Sequence, residues 1–329
     1  MPYKTFSEKA LSGACLSRDE ARQVLDAPDE RMPDLIQAAW RVRYANSGRK
    51  VQIHMLINAK SGICEEDCHY CSQSSISSAD IKAYPLLNQK ELLDGASRAL
   101  EARARRFCIV TSGRGPRAAE LEAICSAVRE IKRKTPLSIC CSLGLLTAED
   151  ARALKEAGVD RVNHNINTSE DFHSNICSTH TYQDRVRTLA NARAAGIELC
   201  SGGIVGMGEG NEELIDAAMA LRELGPESLP VNFMHPIEGT PFGIKEPPTP
   251  MRCLRVLCLF RFLNPRTELR IAGGRELNLR SLQPLALLVG DSIFVDGYLT
   301  TDGQGPKEAH QMIKDMGLEI EEVVEGQRC

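Results

Sequence analysis

From residue 51 onward, short β-rich segments alternate with amphipathic helical segments, and this alternation limits the folds open to the chain. The predicted strands are residues 51–58, 106–112, 137–143, 161–167, 198–205, 229–235, 268–272 and 292–297. The predicted helices between them are residues 90–105, 118–134, 147–157, 182–195, 211–224, 251–263 and 275–288. Eight strands that alternate with helices favour an α/β protein with a (β/α)8 TIM-type barrel. A doubly wound open sheet is the alternative.

The residues at the ends of the predicted helices support these boundaries. Thr147 is a typical N-cap residue, and acidic side chains follow it in the first turn. Gly158, Gly196 and Gly225 each come after the last turn of a helix, where glycine adopts the left-handed conformation most easily. We therefore expect well-defined helices with short connections to the strands.

The first fifty residues are predicted to form a helical extension that covers the base of the barrel. Ser17 and Glu20 have the spacing of a capping box, and a second helix is expected from Met32. The predicted organisation is an N-terminal helical extension at residues 1–50, the barrel at residues 51–316 and a C-terminal tail at residues 317–329.

Three cysteines, Cys64, Cys68 and Cys71, come shortly after the first predicted strand with the spacing CxxxCxxC. Three thiolates on one loop can hold three irons of a [4Fe-4S] cluster and leave the fourth iron open to a small molecule. A zinc site and three structural cysteines are the alternatives. Zinc normally takes a fourth protein ligand, and His69 is too close to its neighbours to complete a tetrahedron easily. The spacing therefore favours a cluster that takes part in chemistry.

Other polar and sulfur-bearing residues also lie where a barrel would gather them. Reactive residues of such barrels lie at the carboxyl ends of the strands, and Asn165 and Asn167 end the fourth predicted strand. A second group lies within strands two, three, five and seven and could converge inside the barrel: Cys108, Cys140, Cys200 and Arg270. For any one of these cysteines alone, a small buried side chain is the simpler interpretation.

The composition excludes several classes of partner and indicates a reducing compartment. The chain has 329 residues with a formal net charge of −4 and a pI near 6.0, so neither nucleic acid nor an anionic membrane surface is expected as a partner. The first residues lead into polar sequence without the apolar core of a signal peptide. The odd number of cysteines, 13, then indicates metal ligation in the cytoplasm and not disulfides.

The cysteine spacing, with Tyr70 before the last cysteine, resembles the radical S-adenosylmethionine (radical SAM) superfamily. Further motifs are RFC at residues 106–108, NHNINTS at 163–169, CSGGIVGMGE at 200–209, VN at 231–232, EGTP at 238–241 and RIAGGRE at 270–276. Together with the cysteine loop, these motifs resemble the biotin synthases from about residue 50 to about residue 315. The resemblance covers most of the chain.

The resemblance implies two iron–sulfur clusters and S-adenosylmethionine as cofactors. Cys64, Cys68 and Cys71 would hold the [4Fe-4S] cluster, whose open iron binds S-adenosylmethionine. An auxiliary [2Fe-2S] cluster would be held by Cys108, Cys140, Cys200 and the unusual ligand Arg270. In the family, a 5′-deoxyadenosyl radical abstracts hydrogen from C9 and C6 of dethiobiotin, and the auxiliary cluster donates the sulfur that closes the ring of biotin. Such chemistry needs no acid–base pair, and none is evident in the sequence.

The resemblance also assigns residues to the two small molecules. Tyr70 would lie against the adenine of S-adenosylmethionine, Asn167 would bind its ribose and Arg185 its carboxylate. Asn165 and Asn232 would hydrogen-bond the ureido ring of dethiobiotin. A flavodoxin or ferredoxin is implied as the electron donor, and a homodimer is the family expectation.

The sequence departs from the family pattern at a few positions. The ribose-binding position is often Asp in the family but is Asn167 here. Cys141 follows Cys140, and adjacent residues on a strand point to opposite faces, so the two should not both face the barrel interior. Cys177 lies in the loop after strand four, where no ligand is expected, although the extra thiols leave a larger auxiliary cluster open. His164 is interpreted as an oriented core histidine.

Two other classes of function remain as alternatives. A different radical enzyme on the same barrel would need the Cys64 loop but not the second group of cysteines. A non-catalytic iron–sulfur protein that senses redox state or carries electrons would neither bind nor cleave S-adenosylmethionine.

Overall fold

The computed structural model describes residues 2–62 and 64–321. The strands are β1 Lys50–Lys60, β2 Arg106–Thr111, β3 Ser138–Ser142, β4 Arg161–Asn163, β5 Glu198–Cys200, β6 Gly203–Val205, β7 Ser228–Phe233, β8 Glu268–Ile271, β9 Ser292–Phe294 and β10 Glu319–Ile320. The helices are α1 Pro2–Ser12, α2 Arg18–Leu25, α3 Met32–Ser47, α4 Gln89–Glu101, α5 Ala118–Lys134, α6 Ala148–Ala157, α7 Tyr182–Ala194, α8 Asn211–Leu224, α9 Pro250–Leu263, α10 Arg275–Leu279, α11 Gln283–Ala286 and α12 Pro306–Asp315.

The strands β1 to β9 close into a parallel barrel. β1 pairs with β2 on one side, where Met55 lies opposite Phe107, and with β9 on the other, where Ile53 lies opposite Ile293. Because the first and last barrel strands pair with each other, the sheet has no open edge there, and the predicted TIM-type barrel is confirmed over the open-sheet alternative. β5 and β6 together occupy one strand position, since both pair with β7.

The main core lies between the barrel wall and the surrounding helices. Strand side chains that point outward pack against the apolar faces of those helices in one continuous cluster. Cys141 belongs to this outer core, whereas Cys140 belongs to a small cluster inside the barrel. The prediction that these two adjacent cysteines face opposite sides of the strand is therefore confirmed.

The predicted helix ends are confirmed at several positions. Ser17 and Glu20 form a capping box at the start of α2, and Thr147 and Asp150 form one at the start of α6. Gly158, which ends α6, has the left-handed conformation with φ of +96°.

The N-terminal helices cover the base of the barrel as predicted. α3 packs against α1 and α9. Arg43 on α3 is fully buried and donates hydrogen bonds to the carbonyl oxygens of Gly290 at 2.8 Å and Lys50 at 2.6 Å. These bonds satisfy backbone groups on both sides of the β1–β9 pairing and hold the extension in place.

Several predicted boundaries are wrong. The strand predicted at 161–167 ends at Asn163, and Asn167, which was predicted to end it, has the left-handed conformation with φ of +70°. The strand predicted at 198–205 is divided into β5 and β6. The helix predicted at 275–288 is three short helical pieces, since Arg280 has φ of +52°. The helix predicted at 90–105 ends at Glu101, shortly before Arg103 with φ of +57°.

The segment after the barrel returns to its base. β10 adds to the start of β1, where Lys50 lies opposite Glu319 and Val51 opposite Ile320. Residues 322–329, including Cys329, lie outside the described residues. In the described part of the chain, no helix combines the length and apolarity needed to cross a membrane.

Candidate active site

A cavity of about 310 Å³ opens at the carboxyl ends of the barrel strands. Most of the predicted site residues line it: Cys64, Cys68, Tyr70, Cys71, Cys108, Asn165, Asn167, Arg185, Asn232 and Arg270. The other two, Cys140 and Cys200, are fully buried in the wall just behind this lining. The fold therefore brings together residues that are up to 206 positions apart in the sequence, as Cys64 and Arg270 are.

The Cys64 loop presents free thiols to this cavity. Cys68 is buried and Cys64 and Cys71 are half-buried, and none of the cysteines in the described residues forms a disulfide. The backbone folds back tightly, with the Cys71 amide donating to the Cys68 carbonyl at 3.1 Å. Three free thiols on one short loop at one cavity fit three ligands of a [4Fe-4S] cluster, which would have one iron left to bind a small molecule.

Two carboxylates fasten the Cys64 loop to the loop at residues 176–181. Asp67 accepts hydrogen bonds from the Ser178 amide at 2.9 Å and from the Thr179 hydroxyl at 3.0 Å. Partial burial opposes ionisation of Asp67, but these bonds outweigh it and lower its pKa well below the usual value. Glu66 accepts from Arg114 at 2.8 Å and contacts Thr179 and His180. The ligand loop is thus held in position from the β4 side.

The second set of cysteines lies deeper, inside the barrel. Cys108 on β2 is opposite Cys140 on β3, and both pack in one small cluster with Phe294. Contact with Cys108 and burial raise the pKa of the Cys140 thiol, so Cys140 is protonated when no metal is bound. A metal cluster would supply the positive charge that stabilises the thiolate form of these buried sulfurs, which makes the donor set a fit for an auxiliary cluster.

Arg270 completes this deeper site. Its guanidinium donates to the Cys200 sulfur at 3.5 Å, to the Ser228 hydroxyl at 2.7 Å and to the Glu268 carboxylate at 2.8 Å. Burial lowers the pKa of Arg270, but the charge of Glu268 outweighs it and raises the pKa above its usual value. In this arrangement the guanidinium is positively charged and aimed at Cys200.

The predicted S-adenosylmethionine residues form one connected group. Asn167 donates a hydrogen bond to the Tyr70 hydroxyl at 2.6 Å. Arg185 donates to the Asn165 carbonyl at 2.9 Å, while its buried Nε has no hydrogen-bond partner among the described residues. A buried, unpartnered guanidinium nitrogen at a cavity wall fits an anionic group of a ligand.

The two asparagines predicted for the substrate are held by backbone groups. Asn165 Oδ1 accepts from the Gly202 amide at 3.2 Å, and Asn232 Oδ1 accepts from the Gly273 amide at 3.0 Å. These bonds determine which way each side-chain amide points, because the oxygen must face the N–H group. Both side chains line the cavity at fixed orientations.

Sequence reasoning missed the surroundings of Cys177. The loop after β4 was expected to carry no ligand, yet Cys177 Sγ lies 3.8 Å from Cys68 Sγ and 3.3 Å from His180 Nδ1. Cys68, Cys177 and His180 are all buried and are close enough to share one metal ion. In the sequence, the only sign of this group was that its members are cysteine and histidine, because 109 positions separate Cys68 from Cys177. His164, by contrast, is buried and its pKa is well below the usual value because of that burial, which fits a neutral core histidine.

Comparison with known proteins assigns the chain to a class. Residues 59–221 match the radical SAM superfamily, so the barrel and its cysteine loop define a radical SAM protein. Residues 230–319 match the biotin and thiamin synthesis associated domain. Biotin synthase of Geobacillus kaustophilus strain HTA426 is 51% identical over 97% of this chain and 96% of that protein, and biotin synthase of Bacillus subtilis strain 168 is 49% identical over 98% and 96%. The chain belongs to the biotin synthase family.

Solved structures share the fold at low sequence identity. Methylornithine synthase superposes with a TM-score of 0.85 at 18% identity, covering 97% of this chain and 98% of the other. The FeFe-hydrogenase maturase HydG from Carboxydothermus hydrogenoformans gives a TM-score of 0.81 at 18% identity, over 97% of this chain and 79% of the other. These likenesses support the barrel architecture alone.

Proposed function

We propose that this chain is a radical S-adenosylmethionine-dependent sulfurtransferase that inserts sulfur between C6 and C9 of dethiobiotin to form biotin. The observation that carries this proposal is the presence of two separate groups of free thiols at one cavity. One group lies on the Cys64 loop at the mouth, and the other lies inside the barrel beside Arg270. Radical generation alone would need only the first group.

The residues at the mouth hold and orient the first cofactors. Cys64, Cys68 and Cys71 bind the [4Fe-4S] cluster, and Arg185 binds the carboxylate of S-adenosylmethionine. When bound, the [4Fe-4S] cluster would supply the electron that cleaves S-adenosylmethionine to methionine and a 5′-deoxyadenosyl radical, and the auxiliary cluster would supply the sulfur atom that enters the product. Tyr70 and Asn167, joined by their hydrogen bond, position the adenosine end.

The residues inside the barrel hold the sulfur source and the substrate. Cys108, Cys140, Cys200 and Arg270 are the proposed ligands of the auxiliary cluster, which we take to be [2Fe-2S]. Arg270 is positively charged in the cluster-free chain and would have to lose a proton to bind the cluster. Asn165 and Asn232 bind the ureido ring of dethiobiotin, because each amide is held in a fixed orientation at the cavity wall. The substrate therefore sits between the mouth and the deeper thiols, where the protein can hold its reactive carbons near both.

The remaining partners follow from the chemistry. The reaction consumes electrons that none of the side chains at this cavity supplies, so a flavodoxin or ferredoxin is the proposed donor. We further propose a homodimer in the cytoplasm, with the catalytic barrel at residues 51–316.

Substitution of one cysteine from each set tests the proposal. Cys64→Ala should reduce S-adenosylmethionine cleavage by at least about 100-fold, because loss of a direct metal ligand costs more than loss of an outer contact. Cys200→Ala should lose biotin formation while cleavage persists. The measurement is 5′-deoxyadenosine and biotin formed per chain by the anaerobically reconstituted, reduced protein.

Cys125→Ala is the matched control, since Cys125 is as buried as Cys200 but lies on α5 outside both sets. This variant should form both products at wild-type levels. Equal loss of cleavage in Cys64→Ala and Cys200→Ala would contradict separate roles for the two sets. Cleavage without any biotin in the wild-type protein would indicate a radical enzyme with a different substrate.

A further inference from the structure

The loop at residues 176–181 places a thiol and an imidazole against the cysteine loop at the mouth of the cavity. Cys177 Sγ lies 3.8 Å from Cys68 Sγ and 3.3 Å from His180 Nδ1. The ligand atoms of Cys68, Cys177 and His180 all lie within 4.8 Å of one another, and all three residues are buried. Neither Cys177 nor His180 has a role in the proposed sulfur insertion.

We propose that Cys68, Cys177 and His180 form a binding site for a single soft divalent ion, with zinc as the preferred metal, in the chain that has not yet received its [4Fe-4S] cluster. The distances support one shared ion. With zinc–sulfur bonds of about 2.3 Å and a tetrahedral angle, two thiolates on one ion lie about 3.8 Å apart. This is the spacing between Cys68 and Cys177. The expected sulfur–nitrogen spacing is about 3.6 Å, close to the 3.3 Å between Cys177 and His180.

Two thiolates and one imidazole leave a fourth position, and the surroundings can fill it. Glu66 contacts His180 Nδ1 through a carboxylate oxygen and is itself buried. A carboxylate oxygen completes a tetrahedral zinc site as well as a water molecule does. Arg114, bound to the other oxygen of Glu66 at 2.8 Å, offsets the negative charge that two thiolates and a carboxylate bring to one ion. Asp67 adds a further negative charge next to Cys177, since its carboxylate lies 3.1 Å from the Cys177 sulfur, and this charge also favours a bound cation.

Cys68 belongs to both this site and the proposed cluster loop, so the two metals exclude each other. An ion held by Cys68 and Cys177 withdraws one of the three thiolates that the [4Fe-4S] cluster needs, and a bound cluster withdraws Cys68 from the ion. Both sulfurs bind the ion as thiolates, so binding releases any thiol proton that they carry and involves no change of oxidation state. This exclusion rests on the proposed role of Cys68 as a cluster ligand, whereas the ion site itself does not.

Cobalt and zinc binding to the cluster-free, reduced chain under anaerobic conditions tests the site directly. Tetrahedral thiolate-bound Co²⁺ absorbs visible light, so its titration reports affinity and geometry, and X-ray absorption of the zinc-loaded protein reports the ligand atoms. We expect one ion per chain bound most tightly, with two sulfurs and one imidazole nitrogen in its shell. Cys177→Ala and His180→Ala should each weaken this binding by at least about 100-fold, more than the loss of an outer contact would.

Matched controls separate this site from the other thiols of the chain. Cys125→Ala and His310→Ala remove the same residue types elsewhere, on α5 and α12, and should leave the tight binding unchanged. A shell of three sulfurs without nitrogen, unaffected by Cys177→Ala and His180→Ala, would overturn the proposal and place the ion on one of the two three-cysteine sets. Each ligand variant is a test by itself. If circular dichroism shows that one of them misfolds, the other still tests the site.

Competition with cluster assembly tests the shared cysteine. One equivalent of Zn²⁺ should block reconstitution of the [4Fe-4S] cluster, followed by its visible absorption, in the wild-type chain. Cys177→Ala should need at least about 100-fold more free zinc for the same block. If the ion stays bound by two sulfurs and one nitrogen while the cluster assembles in the same chain, Cys68 is not a cluster ligand. That outcome would contradict the proposed cluster set and leave the ion site standing.

Discussion

At the scale of single residues, the contact between Tyr70 and Asn167 connects the cysteine loop to the end of β4. The backbone of Asn167 is fixed by two hydrogen bonds, to the Gly202 carbonyl at 3.1 Å and from the Ile204 amide at 2.8 Å. Burial raises the pKa of Tyr70 well above its usual value, so its hydroxyl is protonated and can donate as well as accept. Two donors of the pair remain beyond this bond: the Tyr70 hydroxyl, which also contacts Cys68, and the second N–H of the Asn167 amide.

Two substitutions of Asn167 test whether its hydrogen bond to Tyr70 positions the cofactor, because one keeps such a bond and the other removes it. In Asn167→Asp the Tyr70 hydroxyl can donate to the new carboxylate, and Asp tolerates the left-handed backbone, so the KM for S-adenosylmethionine should change by less than about threefold. Asn167→Ala loses the bond and strains the backbone, and its KM should rise about tenfold. Initial rates of 5′-deoxyadenosine formation check both values. An Asp variant as impaired as the Ala variant would show that the Tyr70 contact does not position the cofactor.

At the scale of elements, the interruption between β5 and β6 shapes the barrel beside the second set of cysteines. Cys200 ends β5, and Gly202 follows in the break with its backbone against β7. A Cβ atom on Gly202 would lie 1.8 Å from the Pro230 carbonyl oxygen, which no side chain can accommodate. Because Gly202 has no side chain, its backbone can come close to β7 in the break between β5 and β6. In this position the Gly202 amide donates a hydrogen bond to Asn165.

Gly202→Ala should therefore destabilise the barrel more than an ordinary glycine substitution. The clash is with backbone, which cannot move aside, so we expect a loss of about 3 kcal/mol or more in the free energy of unfolding. Gly210→Ala is the control, because the atom nearest to a new Cβ there is the flexible Glu213 carboxylate, and its cost should stay below about 1 kcal/mol. Urea unfolding of both variants measures the difference. Equal costs would mean that the wall relaxes around Gly202.

Some elements of this fold could be predicted from local sequence patterns, and others could not. Local patterns predicted the eight strand positions and the bounds of α5 and α8, because apolar periodicity and caps act over neighbouring residues. The end of β4 and the break at Gly202 depend on pairing with distant strands, which no local pattern records. The two thiol sets were predicted from the cysteine spacing, the strand positions and the family resemblance. The contact of Cys177 with Cys68 was not, because two loops 109 residues apart create it.

At the scale of the whole molecule, charge and chemistry occupy separate layers of the barrel. Beneath the deeper cysteines lies a buried ionic layer in which Glu268 contacts Arg161 at 2.7 Å, Arg270 at 2.8 Å and His54 at 3.2 Å. Above it lie the thiols, and above them the loops that carry the first cysteines and the asparagines. The buried Glu268 carboxylate is paired with two arginines, and one of them, Arg270, also lines the cavity and so connects the ionic layer to the deeper thiols.

We expect mild acidification to destabilise the protein, because this interior contains buried histidines. Burial lowers the pKa of His54, His164 and His173 below the usual 6.5, for His173 to about 4, and nearby arginines add to the effect. Above pH 6.5 these histidines are neutral in both folded and unfolded chains. As the pH falls below 6.5 the unfolded chain binds protons that the folded chain does not, so the free energy of unfolding decreases, by up to about 1.4 kcal/mol per pH unit for each histidine.

Urea unfolding of the reduced, metal-free chain at pH 7.5, about 6.5 and about 5.5 measures this slope, which should be small between the first two points and steep between the last two. His164→Gln removes one of the three groups and should reduce the steep part by about a third, whatever its effect on stability at pH 7.5. His310→Gln, a half-buried histidine on α12, should leave the slope unchanged. A stability that is constant down to about pH 5.5 would mean that water or rearranged carboxylates reach the interior and let these histidines take up protons in the folded state.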